Sequence, residues 1–214
     1  MDVTAKFSTK DLATVFVSIT DENGMVESKA IRYQDFSDII NMSRMEEDLF
    51  RTGQLPKGYW DGYISVSNPS TFKVVVVVPE ARRLLNYYGE SFEVPFPALT
   101  FLIATTAGKV NVSKVFAVLG QNIAPESTLY HYPYGNVYDD GKICWGQNIL
   151  DSLPSIRSVD GIVALFFGSE TNDDLFKSSK YSGQREMILS VAGKKSFPEH
   201  LLEKSNYKLG GLLE

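Results

Sequence analysis

Five consecutive valines, Val74–Val78, follow Phe72 and Lys73. A strand with one wet face alternates apolar and polar residues. An unbroken β-branched run instead suits a strand covered on both faces. The chain must therefore build a sheet through its middle and bury both sides of it. With 214 residues, 43% of them hydrophobic, it is long enough to do so. No stretch approaches the roughly 18 apolar residues of a membrane helix. The N-terminus lacks a basic patch followed by an apolar segment, so the expected location is cytoplasmic.

Around the valine run the pattern is one of short strands. Leu12–Thr20 and Met25–Tyr33 flank Asp21-Glu22-Asn23-Gly24, a strong hairpin turn. From Asp35 the spacing of Phe36, Ile39, Ile40, Leu49 and Phe50 becomes helical, with Gly53 as a C-cap. Gly62–Ser67, Leu99–Thr105 and Val110–Leu119 read as further strands, and their short connections favour antiparallel pairing. Val94-Pro95-Phe96-Pro97 lacks two ladder donors and belongs at an edge or in a loop leading into the sheet. Gln121–Cys144 is long and mostly irregular, and such loops tend to be functional. Ser155–Phe167 reads as an amphipathic helix, with shorter helices expected at Gln184–Lys195 and Pro198–Lys204. No repeat and no convincing domain boundary is visible. Residues 1–60 are expected as a hairpin-plus-helix extension packed on a core at 61–214.

Charge and cysteine count exclude several chemistries. The net charge is −5, with no basic stripe to neutralise phosphates, so nucleic acid is not an expected partner. The single cysteine, Cys144, allows no internal disulfide and no Cys-x-x-Cys pair. With only His131 and His200 beside it, a structural zinc site would need mostly carboxylates. Gly193-Lys194-Lys195-Ser196 lacks the upstream glycine of a phosphate-binding loop. A lone cysteine is ordinarily a small buried hydrophobe.

The window from Tyr134 to Trp145 argues otherwise. Asn136 and Cys144 are eight residues apart, with Asp139-Asp140-Gly141 as a tight turn between them. A chain doubled back at that turn brings the two side chains to one surface. A thiol beside an amide N–H is suited to acyl transfer, because the N–H stabilises a developing oxyanion. If the acyl group arrives already activated as a thioester, exchange needs only a fraction of thiolate and no general base.

This window resembles the active-site segment of ubiquitin-conjugating enzymes. There a His-Pro-Asn tripeptide precedes a Gly-x-Ile-Cys turn; here Asn136 and Gly141-Lys142-Ile143-Cys144 keep the pattern. It is most similar to a bacterial branch, the prokaryotic family D homologues, which include protein B of the ParB-related, ThiF-related cassette (PRTRC). The similarity extends through Pro97-Ala98-Leu99, Phe116-Ala117, Ala124-Pro125, Leu129-Tyr130, Pro133–Gly146 and Phe166-Phe167-Gly168-Ser169, roughly residues 72–176. The chain departs from the superfamily in three places. Tyr134 and Gly135 replace the histidine and proline, Trp145 stands where leucine is common, and a hairpin and helix replace the first helix.

The resemblance implies an α+β fold, an antiparallel β-meander packed with helices behind the N-terminal hairpin and helix. It implies a conjugating enzyme that carries a ubiquitin-like modifier as a thioester on Cys144 and transfers it to a target amine. Asn136 would support the oxyanion, with Asp139, Asp140, Tyr134 and Trp145 in supporting roles. A ThiF-like activating enzyme would use the ATP, so the chain itself needs no cofactor. A JAB-type isopeptidase belongs to the same kind of pathway, for which antiviral defence and plasmid maintenance are two settings. Two other readings stand. One is a non-catalytic module that recruits modifier or activating enzyme. The other is a thiol hydrolase pairing Cys144 with His131. The diglycine Gly210-Gly211, with three residues after it, reads as part of a flexible terminus rather than a modifier's end.

Overall fold

The computed structural model describes residues 2–7, 13–21, 23–38, 54–120 and 122–214. It divides into two units, Met1–Arg51 and Thr52–Glu214. In the first, β1 (Asp2–Phe7), β2 (Thr14–Thr20) and β3 (Val26–Arg32) form an antiparallel sheet in that order. The Asp21 carboxylate closes the β2–β3 turn by accepting the N–H groups of Asn23 and Met25 at 2.9 and 2.8 Å. Gly24 has a φ of 80°, which side-chain-bearing residues resist. Residues 33–38 are helical (α1), and the Phe7 ring meets Phe36 edge-on at 5.8 Å. The rest of the helix expected there, residues 39–53, lies outside the described residues.

In the second unit the strands are β4 (Tyr59–Ile64), β5 (Phe72–Val78), β6 (Ala81–Tyr87), β7 (Glu90–Phe96), β8 (Ala98–Thr106) and β9 (Lys109–Val118). After them come β10 (Thr128–Tyr130), β11 (Glu170–Thr171) and β12 (Lys204–Lys208). A six-stranded antiparallel sheet has the order β12-β10-β9-β8-β5-β4. The β6–β7 hairpin leaves this sheet and joins β11 in a second one, so β5 pairs directly with β8. β7, which carries Pro95, is the edge of that second sheet, where a missing N–H costs no ladder bond.

The valine run sits where its composition requires. Val74 and Val76 point into one core, Val75 into the other. The period of two continues on the neighbours. Leu99, Phe101 and Ile103 face the first core and Leu102 the second; Val115 and Ala117 face the first, Phe116 and Val118 the second. The first core is closed by α2 (Val159–Gly168), α3 (Gln184–Val191) and the β6–β7 hairpin, through residues such as Phe166, Ile188 and Phe96. A one-turn 3₁₀ helix, Ile156–Ser158, leads into α2.

The second core is closed by the C-terminal segment, which corrects two expectations. Pro198–Lys204 holds only a 3₁₀ turn, Glu199–Leu201, and its last residue begins β12. The tail is not a flexible end. Leu209 is fully buried and Leu212 nearly so. The Leu209 and Gly210 N–H groups donate to Ser127 and Pro125 carbonyls at 3.0 and 2.9 Å. The reason is the sheet's second apolar face, which something must cover. The leucines of an otherwise unremarkable tail are what covers it. Among the described residues no helix is long and apolar enough to cross a membrane.

Removing residues 209–214 should therefore lower stability by at least about 3 kcal/mol, since three buried leucines leave a bare sheet face behind. The midpoint of urea unfolding reports this. An unchanged midpoint would mean the tail is dispensable.

Candidate active site

The site is built on the outer edge of β9. The far end of β9 pairs with β10, through Ala117 and Val118. The preceding stretch instead takes the segment that ends in the cysteine. Val115 N–H donates to Gly141 O at 2.8 Å, and Ile143 N–H to Ser113 O at 3.0 Å. That segment is one arm of a small hairpin. Tyr138 N–H donates to Lys142 O at 2.9 Å, Gly141 N–H to Tyr138 O at 2.8 Å, and Cys144 N–H to Asn136 O at 2.8 Å. The turn thus falls at Tyr138–Gly141, and Cys144 is opposite Asn136.

Glycine is required at 141 twice over. Its φ is 82°, and an added Cβ would lie 2.2 Å from the Phe116 ring. The hairpin consequently rests directly on a residue of the second core. Asp140 secures the turn. Its carboxylate accepts the Lys142 N–H at 3.0 Å and pairs with Lys114 at 3.2 Å. Burial pushes its titration up, but the Lys142 N–H and the two lysines outweigh this and hold it below the usual carboxylate range.

Cys144 is half-buried and lines an open groove with Asn136, Tyr138, Trp145, Glu170 and Asp174. Asn136 has a φ of 67°, a conformation that asparagine tolerates better than most residues. Its Nδ2 donates to Glu170 O. One amide N–H is thereby committed to orienting the group, and the second is free of that bond. Tyr138, two residues on from Asn136, lines the same groove. A hydrogen bond to Cys144, with the repulsion between a thiolate and a phenolate, holds the Tyr138 hydroxyl protonated above its ordinary range. Trp145 donates its indole N–H to Ser113 Oγ at 2.9 Å and meets Phe166 edge-on. This anchors the chain immediately after the cysteine to β9 and α2.

Tyr134 is buried and does not line the groove. Its hydroxyl donates to Pro95 O at 2.8 Å, and its ring packs on Phe96 at 5.0 Å. Burial drives its titration far upward. Gly135 is needed for space, because a Cβ would lie 2.3 Å from Asn172 O and 2.5 Å from Gln184 Oε1. The replacements for histidine and proline are thus both bound into the structure around Asn136.

The other candidates are elsewhere. Asp139 pairs with Lys177 at 2.5 Å and lines a different groove, together with Asp140, His131 and Glu203. The grooves that Cys144 lines include neither aspartate, nor His131. The carboxylates that do share its groove are Glu170 and Asp174, and neither has an ion-pair partner among the described residues. Sequence reasoning passed over Tyr138, Glu170 and Asp174. Its place inside the Tyr134–Trp145 window was signal enough for the tyrosine. Glu170 and Asp174 are some thirty residues downstream and carry no local signature. Among the described residues no three His, Cys, Asp or Glu side chains cluster as metal ligands would.

Cys144→Ala should return the Tyr138 titration toward the ordinary tyrosine range, because both leading causes of its elevation reside on the sulfur. The pH dependence of the Tyr138 ring carbon resonance measures this. A titration that does not fall would remove the sulfur as the cause.

The chain matches the family model of prokaryotic E2 family D over residues 54–205. No curated protein and no solved structure matches it.

Proposed function

The chain belongs to prokaryotic E2 family D, the match spanning well over half its length, and on that footing we propose that it carries a ubiquitin-like modifier as a thioester on Cys144 and transfers it to an amine of a target protein. The observation that carries this reading is the backbone hydrogen bond from Cys144 to Asn136 O, which sets thiol and amide opposite each other on one groove.

The chemistry runs in two exchanges. The Cys144 thiolate attacks the thioester carbonyl of a modifier held on a ThiF-like activating enzyme. A new carbon–sulfur bond forms, the old one breaks, and the activating enzyme's cysteine leaves as thiolate. An amine of the target then attacks the new thioester. Its nitrogen passes its surplus proton to a groove carboxylate, Glu170 or Asp174, or to water, an amide forms, and Cys144 leaves as thiolate. Each exchange passes through an oxyanion, and the remaining N–H of the Asn136 amide is the donor assigned to it, on the support of the groove that Asn136 and Cys144 share. The first exchange swaps one thioester for another and needs no base of its own.

The groove's charge supports an amine as the acceptor. Glu170 and Asp174 line it beside Cys144, with aromatic Tyr88, Tyr138 and Trp145 and, among the described residues, no lysine or arginine. Carboxylates attract an approaching ammonium and accept its hydrogen bonds, so this lining favours a lysine over an anionic nucleophile. Asp139 and Asp140, each with a lysine at its carboxylate, serve the hairpin turn instead. The placement of His131 in another groove weighs against the thiol hydrolase.

Charging with activating enzyme, modifier and ATP should give an adduct on a non-reducing gel that dithiothreitol releases and Cys144→Ala abolishes. If the activating enzyme is demonstrably charged and no adduct forms, the non-catalytic module becomes the better reading. Discharge of the adduct onto free lysine should slow by about tenfold when Glu170 and Asp174 are replaced together by Gln and Asn. The paired change Asp139→Asn and Asp140→Asn should alter the rate by no more than about twofold. The reverse ranking in single-turnover discharge would move the amine-receiving role to the turn.

A further inference from the structure

Gln184 opens α3, forty residues beyond Cys144, and is completely buried. Its Oε1 accepts the N–H of Gly135 at 2.6 Å, and its Nε2 donates to Thr171 Oγ1 at 2.7 Å. The amide's orientation is settled by its partners. A backbone N–H only donates, so the atom facing Gly135 must be the oxygen. Thr171 Oγ1 can accept from Nε2 because its own proton goes to Asn86 O at 3.0 Å. The Gln184 backbone N–H donates to Asp173 Oδ1 at 2.8 Å, and Asp173 Oδ2 accepts from the Tyr87 hydroxyl at 2.8 Å.

These bonds tie three segments to one residue, two through its side chain and the third through Thr171 and Asp173. The loop bearing Asn136 is held at Gly135. The segment after α2 is held at Thr171, one residue from Glu170, whose carbonyl in turn holds the Asn136 amide. The β6–β7 hairpin is held through Asn86 and Tyr87. Gly135 is glycine at the one place where a Cβ would collide with Gln184 Oε1 and Asn172 O. The close approach is thus built into both sides of the contact.

We propose that Gln184 is a positioning residue, which fixes the Asn136 amide against Cys144 by clamping Gly135 on one side and the strand that receives Asn136 on the other. This rests on the thioester-carrier reading for its effect on rate, though not for the clamp itself. An amide donor is useful to an oxyanion only if it is held in place before charge develops. The Asn136 backbone is left-handed, and among the described residues its side chain has one hydrogen-bond tether, Glu170 O. Without the clamp, both ends of the amide's support are loose.

The decisive experiment replaces Gln184 by Met, of similar length but with no acceptor for Gly135, and by Glu, which keeps one. In Gln184→Met, discharge of the Cys144 thioester onto free lysine should fall by at least about tenfold. In an Asn136→Ala background the same change should cost no more than about twofold, because a residue acting through Asn136 has nothing left to position. A further tenfold loss in that background would overturn the proposal in favour of a general structural role. Gln184→Glu should retain more activity than Gln184→Met, and most at low pH, where a protonated carboxyl presents both the acceptor and a donor for Thr171. Equal losses in the two variants across pH would also overturn it. Amide hydrogen exchange supplies a readout independent of activity. The Gly135 N–H should exchange at least about tenfold faster in Gln184→Met than in the parent protein. Unchanged exchange would show that no clamp exists. Should the parent protein form no thioester, the carrier reading falls, while exchange at Gly135 still decides the clamp.

Discussion

The structure around Cys144 depends on a few backbone hydrogen bonds along the outer edge of β9. That edge is divided, with β10 on its last residues and the cysteine segment on those before them. A cysteine on an unpaired loop would have no fixed relation to any amide. Bonded to β9 through Gly141 and Ile143, it inherits the rigidity of a six-stranded sheet. The sheet in turn is rigid because both faces are buried. Phe116 illustrates the dependence: it belongs to the core that the C-terminal leucines close, and its ring is the floor under Gly141. The C-terminal segment therefore supports the site through the Phe116 ring.

On the other side of the hairpin the support is polar. Tyr134, Gly135 and Asn136 each have a specific partner: Pro95 O, Gln184 Oε1 and Glu170 O. The first two of these bonds are buried; such bonds contribute modestly when made, but leaving one partner unpaired costs about 1–3 kcal/mol. Such an arrangement favours one loop conformation over its alternatives more than it raises overall stability. The departures of this chain from the superfamily's His-Pro-Asn pattern read, in this light, as one set of substitutions. Tyr134 reaches β7 and Gly135 admits Gln184, so each ties the loop to a different element.

Much of the site was legible from local sequence. The eight-residue spacing and the Asp-Asp-Gly turn act within a dozen residues, and short hairpins are governed by just such local rules. The same holds for the valine run, whose burial on both faces follows from its composition. Other features were not legible, for physical reasons that can be named. Gln184 at the start of a helix looks like a surface residue, because polar side chains usually occupy first turns. Its burial depends on the loop that folds over it. Asp139 and Asp140 are nearest the cysteine in sequence, yet a tight turn directs them toward Lys177 and Lys114. Proximity along the chain was a poor guide once the chain reversed.

The sequence by itself determined the central strand, the hairpin that pairs Asn136 with Cys144, and the fact that any thioester must form on the one thiol. Each of these rests on short-range steric or compositional constraints. Only the tertiary structure decided which carboxylates share the cysteine's groove, what holds the tripeptide loop, and whether the terminal leucines are buried. Those outcomes depend on which distant segments meet. That is decided by how the two faces of the sheet are covered, because an apolar face must be buried by whatever part of the chain can reach it.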